Sequence, residues 1–463
     1  MISLTARQIA DATGGRLVGL EPSTVISDVC VDSRAASPGS LYVAIAGERV
    51  DGHDFAADAV AAGCVAALSA RDLEVPCIVV DDPVLALGRL ARWVRATLLT
   101  CTVVAVTGST GKTSTKDLIA QVLATFGPTV AAVGSFNTEV GVPLTILRAD
   151  ASTKFLVLEM GMRGEGHIDY LCEIATPSIG VLVNVGSAHL GLLGSRDAIA
   201  RAKGEIFDRL PEDGCAIVLG DDPLVIEQAR RTSARVLTFG EGPQCDVRAT
   251  DIRLDDLARP SFTMQFDDQA EPVTLQVHGE HSVLNALAAA AVAFALPAVP
   301  ADAVVIENVA MALRAATAQS KWRMEVHHAP GGYLVINDAY NANPESMRAA
   351  LKSLRAMAAG RRTWAVLGEM RELGEDSVRE HDAIGRLAVR LDIGRLICVG
   401  QKVMHLGAAN EGSWDNESVY VETPDEAIAM LRRELAPDDV VLVKASRSVG
   451  LERVAQALLE GES

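Results

Sequence analysis

The segment TVVAVTGSTGKTSTKDLI, residues 102–119, sets two close glycines, a lysine and a cluster of hydroxyls between a short apolar run and an amphipathic stretch. That grouping suits phosphate chemistry. Gly108 and Gly111 permit a tight turn whose N–H groups face inward, Lys112 reaches terminal phosphates, and the Thr113 hydroxyl can ligate magnesium. Thr107, Ser109 and Thr110 complete the loop, and the helix that follows adds its positive N-terminal end. The strict G-x-x-x-x-G-K-[ST] spacing requires glycine at position 106, where this chain has Val106, so the loop is a shortened variant. A glycine turn beside a surface lysine is the plain alternative. The strand before the loop, and Thr113 and the helix after it, argue for a nucleotide site.

Three further residues could meet such a loop. Glu159 closes the apolar run FLVLE, which places a carboxylate at the ligand edge of a parallel sheet, where a magnesium role fits. His189, in NVGSAHLG, follows another apolar run; taken alone it reads more readily as a hydrogen-bonded loop histidine than as a ligand. Lys203, in ARAKGEIF, lies on a predicted helix, and an ammonium has no lone pair for a cation. Its plain reading is a solvated helix lysine.

Groups of this kind need parallel strands that end at a common edge. The strand-then-turn signature at residue 102 recurs at 155 and 179 with helices between, which predicts a doubly wound α/β domain over residues 98–315. Residues 1–97 alternate short apolar segments (25–31, 41–46, 78–80) with alanine-rich helical stretches, a small α/β unit. Residues 316–463 carry predicted strands at 333–336, 363–367, 395–399 and 440–443, a third, Rossmann-like α/β unit entered through the linker AATAQSKWR. A chain of 463 residues suits three domains.

Composition narrows the function further. Hydrophobic residues at 49% and charged residues at 22% are those of a globular protein with a large core. Sixty acidic against 42 basic residues give a net charge of −18, which opposes binding to nucleic acid or anionic lipid yet leaves a local nucleotide site open. The eight cysteines are scattered, without a C-x-x-C pair, and suggest neither disulfides nor zinc. No basic-then-apolar leader opens the sequence. The most apolar run, residues 286–296, is shorter than the roughly 18 residues a span requires and reads as a buried helix. A cytoplasmic protein without membrane insertion is expected.

The short loop TGSTGKT resembles that of the Mur ligases and of the folylpolyglutamate synthetases, and the likeness to the Mur ligases runs from end to end. DSR (32–34) with GERVDGHDF (47–55) is similar to the uridine-nucleotide-binding domain of that family, which implies Ser33 and Arg34 as substrate contacts. GSFNTEVGVPLT (134–145) resembles the loop that holds the uridine-linked substrate, implying Asn137 and Thr138, the latter where a second asparagine is common. Lys203 stands where the family carries a carbamylated lysine, a carboxylate-like oxygen donor of the type magnesium prefers. The resemblance therefore implies two magnesium ions, one near Thr113 and Glu159 and one near His189 and Lys203. GEHSVLNALAAAAV (279–292) resembles the adenine contact, with His281 stacking and Asn285 hydrogen bonding. Arg323 matches an arginine directed at the γ-phosphate, although Trp322 replaces the usual glycine. INDAYNANPESM (336–347) places Asp338 for the ribose and Asn341 for substrate.

DAYNANPESM, VLGEMRELG (366–374) and VKASRSVGLE (443–452) resemble those members of the family that add D-alanyl-D-alanine to a UDP-muramoyl tripeptide in peptidoglycan synthesis. The implied reaction is ATP-dependent and passes through an acyl phosphate, with Lys112, Lys203, His189 and Arg323 as the catalytic set. The third domain is then expected to bind the dipeptide and to close over ATP, in a monomer. A folylpolyglutamate synthetase is the nearest alternative enzyme, but lacks a uridine-binding N-domain. A P-loop switch or motor ATPase is an alternative of another class, against which Val106 argues.

Overall fold

The computed structural model describes residues 1–187, 190–296, 305–412 and 417–460. Its centre is a nine-stranded sheet in the order Gln269–Thr274, Pro260–Phe266, Val247–Leu254, Arg235–Gly240, Cys215–Leu219, Ile179–Leu182, Thr102–Thr107, Phe155–Glu159, Thr129–Ala131. From the Thr129 edge through Val247–Leu254 all pairings are parallel; the two remaining strands add antiparallel. Strands of the parallel core, such as FLVLE and IGVL, are buried along their whole length, as a sheet covered on both faces requires. The antiparallel extension was not expected from the sequence. Strand Pro260–Phe266 alternates buried with partly exposed positions, and the edge strand Gln269–Thr274 is mostly exposed.

Thr102–Thr107 is the strand at which the winding reverses. The chain leaves it for Thr129–Ala131 and Phe155–Glu159 on one side, then crosses to Ile179–Leu182 on the other. A crevice opens at the carboxyl end of such a strand, where a ligand can enter between diverging loops. Helix Lys112–Ala124 begins directly after the loop, and Gly111 caps it at φ 76°. The alanine-rich helix Ser282–Phe294, apolar all round and buried, packs along it.

The N-terminal sheet has the order Arg16–Val18, Cys77–Val79, Ala66–Ser69, Ser40–Val43, Asp28–Cys30. It is joined to the central domain through helix Pro83–Leu98, which packs on helices Gly141–Leu147 and His167–Ala175. The C-terminal sheet has the order Glu325–His328, Leu334–Asn337, Val440–Lys444, Thr363–Leu367, Arg395–Val399, Ser418–Val421, parallel except for the first strand. Glu325–His328 and Ser418–Val421 add to the four strands foreseen. The linker is held where it leaves the centre: Thr317 N donates to Gln121 Oε1 and Gln121 Nε2 to Thr317 O, both at 3.0 Å. Among the described residues no helix is long and apolar enough to cross a membrane.

Candidate active site

A cleft of 690 Å³ opens over the carboxyl end of Thr102–Thr107, walled on one side by the phosphate loop and on the other by the third domain. Its size suits a bound nucleotide. Gly111 shapes the floor. Its left-handed backbone, and the 2.8 Å that a Cβ would leave to Asn285 Oδ1, both exclude a side chain there. The same Asn285 oxygen accepts from the Thr115 hydroxyl at 3.0 Å, so helix Ser282–Phe294 and the phosphate-loop helix are locked together.

The loop's N–H groups divide unequally. Ser109 N and Thr110 N both donate to Asn184 Oδ1 at 3.0 Å, and Asn184 Nδ2 donates to Thr110 O at 3.1 Å. These two N–H groups therefore face Asn184, itself in the cleft wall. The first turn of helix Lys112–Ala124 presents N–H groups with no intrahelical acceptor, donors of the kind that can meet a phosphate. Thr107 lies under the loop, with its hydroxyl donating to Met160 O at 2.8 Å.

Lys112 Nζ lies in the cleft and donates to Gly108 O at 2.8 Å. Burial pulls its pKa down, Glu159 and Glu372 oppose that, and Arg323 reinforces it. Glu159, 1% exposed, receives the Thr113 hydroxyl on Oε2 and Asn137 Nδ2 on Oε1, each at 2.7 Å. Two hard oxygen donors thus stand side by side next to the loop, and they fit magnesium. Asn137 meets them as a partner of Glu159, whereas Thr138 lies outside the cleft lining.

Lys203 corrects its plain reading as a solvated lysine. It is 1% exposed, and its Nζ donates to Gly108 O at 3.0 Å, the same carbonyl that Lys112 uses. Burial, and then the charge of Lys112, push its pKa well below the usual lysine range. The buried amine is thereby disposed to be neutral. His189 lies outside the described residues. Among those residues no group of three or more His, Cys, Asp or Glu gathers as a metal site.

Across the cleft, the Arg323 guanidinium stacks on Tyr340 at 4.1 Å, and its buried Nε has no acceptor. Trp322 adopts the left-handed backbone at φ 60°, which explains why glycine suits this position, and Arg447 lies over its indole at 4.2 Å. Asp338, expected at the ribose, receives Lys444 Nζ at 2.7 Å and Met324 N at 3.1 Å, so its carboxylate is already charge-paired. Lys444 also donates to Asn341 O at 2.8 Å. His281 lines the cleft ahead of helix Ser282–Phe294, and burial lowers its pKa, which favours the neutral ring. Ser33 and Arg34 stand apart in the N-terminal domain. There Asp32 caps the turn and pairs with Arg34, whose guanidinium holds its carboxyl down at about 2.

Family models match nearly the whole length in three pieces: "Mur ligase family, catalytic domain" at residues 25–92, "Mur ligase middle domain" at 106–293 and "Mur ligase, glutamate ligase domain" at 322–447. The UDP-N-acetylmuramoyl-tripeptide--D-alanyl-D-alanine ligase of Mycobacterium tuberculosis is 47% identical, covering 100% of this chain and 99% of that protein. The chain belongs to the Mur ligase family. Its three-domain Mur ligase fold is shared with MurF from Acinetobacter baumannii, at a TM-score of 0.86 and 33% identity over 99% of each chain. The MurF ligase from Thermotoga maritima, solved in complex with ADP, is similar at a TM-score of 0.78 and 30% identity over 94% of this chain and 97% of that one.

In this Mur ligase, Asn184, Lys444, Tyr340 and Glu345 also face the cleft, and sequence reading did not single them out. Asn184 sits in the NVG that ends a strand, a placement that could have flagged it. Lys444 lies within the VKASRSVGLE motif but looks like one more strand residue until its partner Asp338 is known.

Proposed function

We propose that this Mur ligase uses ATP to join D-alanyl-D-alanine to UDP-N-acetylmuramoyl tripeptide through an acyl phosphate. The supporting observation is that Lys112 and Arg323, from different domains, meet over one phosphate loop beside the Thr113–Glu159 oxygen pair. Similarity over the full chain to ligases of that name supports the choice of substrates.

A carboxylate attacking the γ-phosphate brings two anions together, and their repulsion must be offset. Lys112 and Arg323 supply fixed positive charge to the transferring phosphoryl group, and the first-turn N–H groups orient the others. Bound magnesium would add Lewis-acid charge neutralisation. Thr113 and Glu159 would hold one ion; carbamylated Lys203 with His189 would hold a second. Lys203 is suited to that modification because the amine must be neutral to add carbon dioxide, and its burial beside Lys112 favours that form. Residues 1–97 bind the uridine nucleotide, 98–315 bind ATP, and 316–463 bind the dipeptide. The third domain's cover over the loop keeps water from the acyl phosphate until the amine arrives.

The test is product formation from ATP, UDP-muramoyl tripeptide and D-alanyl-D-alanine. One ADP and one phosphate are expected for each UDP-muramoyl pentapeptide, and none at comparable rate when the tripeptide is left out. AMP and pyrophosphate as products, or full-rate ATP cleavage without a carboxylate acceptor, would overturn the reading.

A further inference from the structure

Glu345 is the second residue of helix Pro344–Ala358 in the third domain, and its carboxylate reaches out of that domain. Oε1 accepts from Ser187 N and Oε2 from the Ser187 hydroxyl, both at 2.9 Å. Ser187 belongs to the central domain, in the loop that follows strand Ile179–Leu182. The preceding peptide is gripped from the opposite side, because Gly186 N donates to the phosphate-loop hydroxyl of Ser109 at 2.8 Å. A Cβ on Gly186 would come within 2.9 Å of Glu345 Cδ, so the carboxylate packs directly on the Gly186 backbone. Asn184, two residues earlier, holds the loop's Ser109 and Thr110 N–H groups. The segment Asn184–Gly186–Ser187 thus links the phosphate loop at one end to a third-domain carboxylate at the other.

We infer that Glu345 is a positioning residue that couples closure of the third domain to the setting of the phosphate loop. A carboxylate holding two hydrogen bonds across an interface contributes only when the two domains are together. Its removal therefore favours the open arrangement and frees Ser187 and Gly186 to drift, loosening the shelf on which Ser109 and Thr110 rest. Charge makes these bonds stronger than neutral ones, and the carboxylate also lies favourably at the N-terminal end of its own helix. The hydroxyl of Tyr340 against Ser135, and Glu372 O accepting from Gly191 N at 3.2 Å, are neighbouring cross-domain contacts that carry no such charge. This inference rests on the ligase reading for its kinetic consequence, but its structural consequence does not depend on that reading.

The experiment is carried out on the full chain. Glu345→Ala, Glu345→Gln, Ser187→Ala and the Glu345→Ala/Ser187→Ala pair are compared by steady-state kinetics. In parallel, solution X-ray scattering is recorded with and without a non-hydrolysable ATP analogue plus UDP-muramoyl tripeptide. Glu345→Ala should lower kcat roughly 10- to 100-fold, the loss of two charge-assisted bonds. It should leave the thermal midpoint and UDP-substrate binding as in wild type and reduce ligand-induced compaction. Ser187→Ala keeps the backbone bond and should lose about three- to tenfold. The double variant should be no slower than Glu345→Ala alone, because both act through one contact, and Glu345→Gln should recover part of the rate.

Wild-type compaction and rate in Glu345→Ala would overturn the proposal, as would fully multiplicative losses in the double variant. A fall in thermal midpoint together with weakened UDP-substrate binding would reassign Glu345 to a purely structural role. An inactive wild type would count against the ligase reading, and the scattering comparison would still decide the latch.

Discussion

At the scale of single residues, two amines share one carbonyl: Lys112 and Lys203 both donate to Gly108 O. They have different tasks. Lys112 faces the cleft and should stabilise the transferring phosphoryl group, so Lys112→Ala should reduce kcat by about a thousandfold, in the range for loss of one preorganised charge. UDP-substrate affinity, measured by equilibrium binding, should stay within about twofold because that site belongs to the N-terminal domain. Lys203→Ala should be nearly inactive, and a short carboxylic acid that fits the vacated space should restore part of the rate, with arginine unable to substitute. An unmodified amine in the mass spectrum and electron density of fully active enzyme would contradict the carbamate. Without the family resemblance Lys203 reads as a solvated helix lysine, because nothing in ARAKGEIF shows which helix face turns inward. Trp322 was visible as a departure from glycine, and only its φ of 60° gives the departure physical content. Trp322→Gly should leave stability within about 1 kcal/mol, since relief of the left-handed backbone offsets loss of the Arg447 contact.

At the scale of elements, the phosphate site is a strand, a helix and a clamp. The strand and helix were legible from the buried apolar run and the glycine spacing; the clamp was not, since Asn184 lies far from the loop in sequence. Asn184→Ala should raise KM for ATP and lower kcat together, by about tenfold in kcat/KM, as expected for three lost loop contacts of modest net worth. Gly111→Ala should abolish nucleotide binding measured by calorimetry, while the N-terminal site still binds its uridine ligand. In the third domain, His381 Nε2 accepts from Met370 N at 2.8 Å and Nδ1 donates to Ser377 O at 2.7 Å. That pins the loop that presents Arg371 and Glu372 to the cleft. Burial lowers the pKa of His381 below its usual value. Below pH 6.5 the unfolded chain then binds the proton more readily than the folded one, so stability rises with pH through this window and falls as pH drops. Urea unfolding at pH 5 and pH 7.5 should show that slope in wild type and a shallower one in His381→Asn.

At the scale of the whole molecule, three α/β sheets bring a uridine-type domain, a phosphate loop and an arginine-bearing lid into one chain. The parallel core was legible because buried strands read as continuous apolar runs. The antiparallel extension was not foreseen: PSFTMQF carries the polar–apolar alternation of a half-buried strand, but QAEPVT, with its proline and few apolar residues, carries no clear period. Likewise the contacts that close the third domain, Glu345 with Ser187 among them, join residues more than a hundred positions apart and leave no local pattern. The claim that unites these scales is that the tripeptide carboxylate itself takes the phosphoryl group. It is tested most directly by supplying UDP-muramoyl tripeptide with 18O in its terminal carboxylate, together with ATP and D-alanyl-D-alanine, and weighing the released phosphate by mass spectrometry. The account predicts one 18O carried into each phosphate, in step with pentapeptide formed. Phosphate free of the label, with pentapeptide still produced, would contradict it.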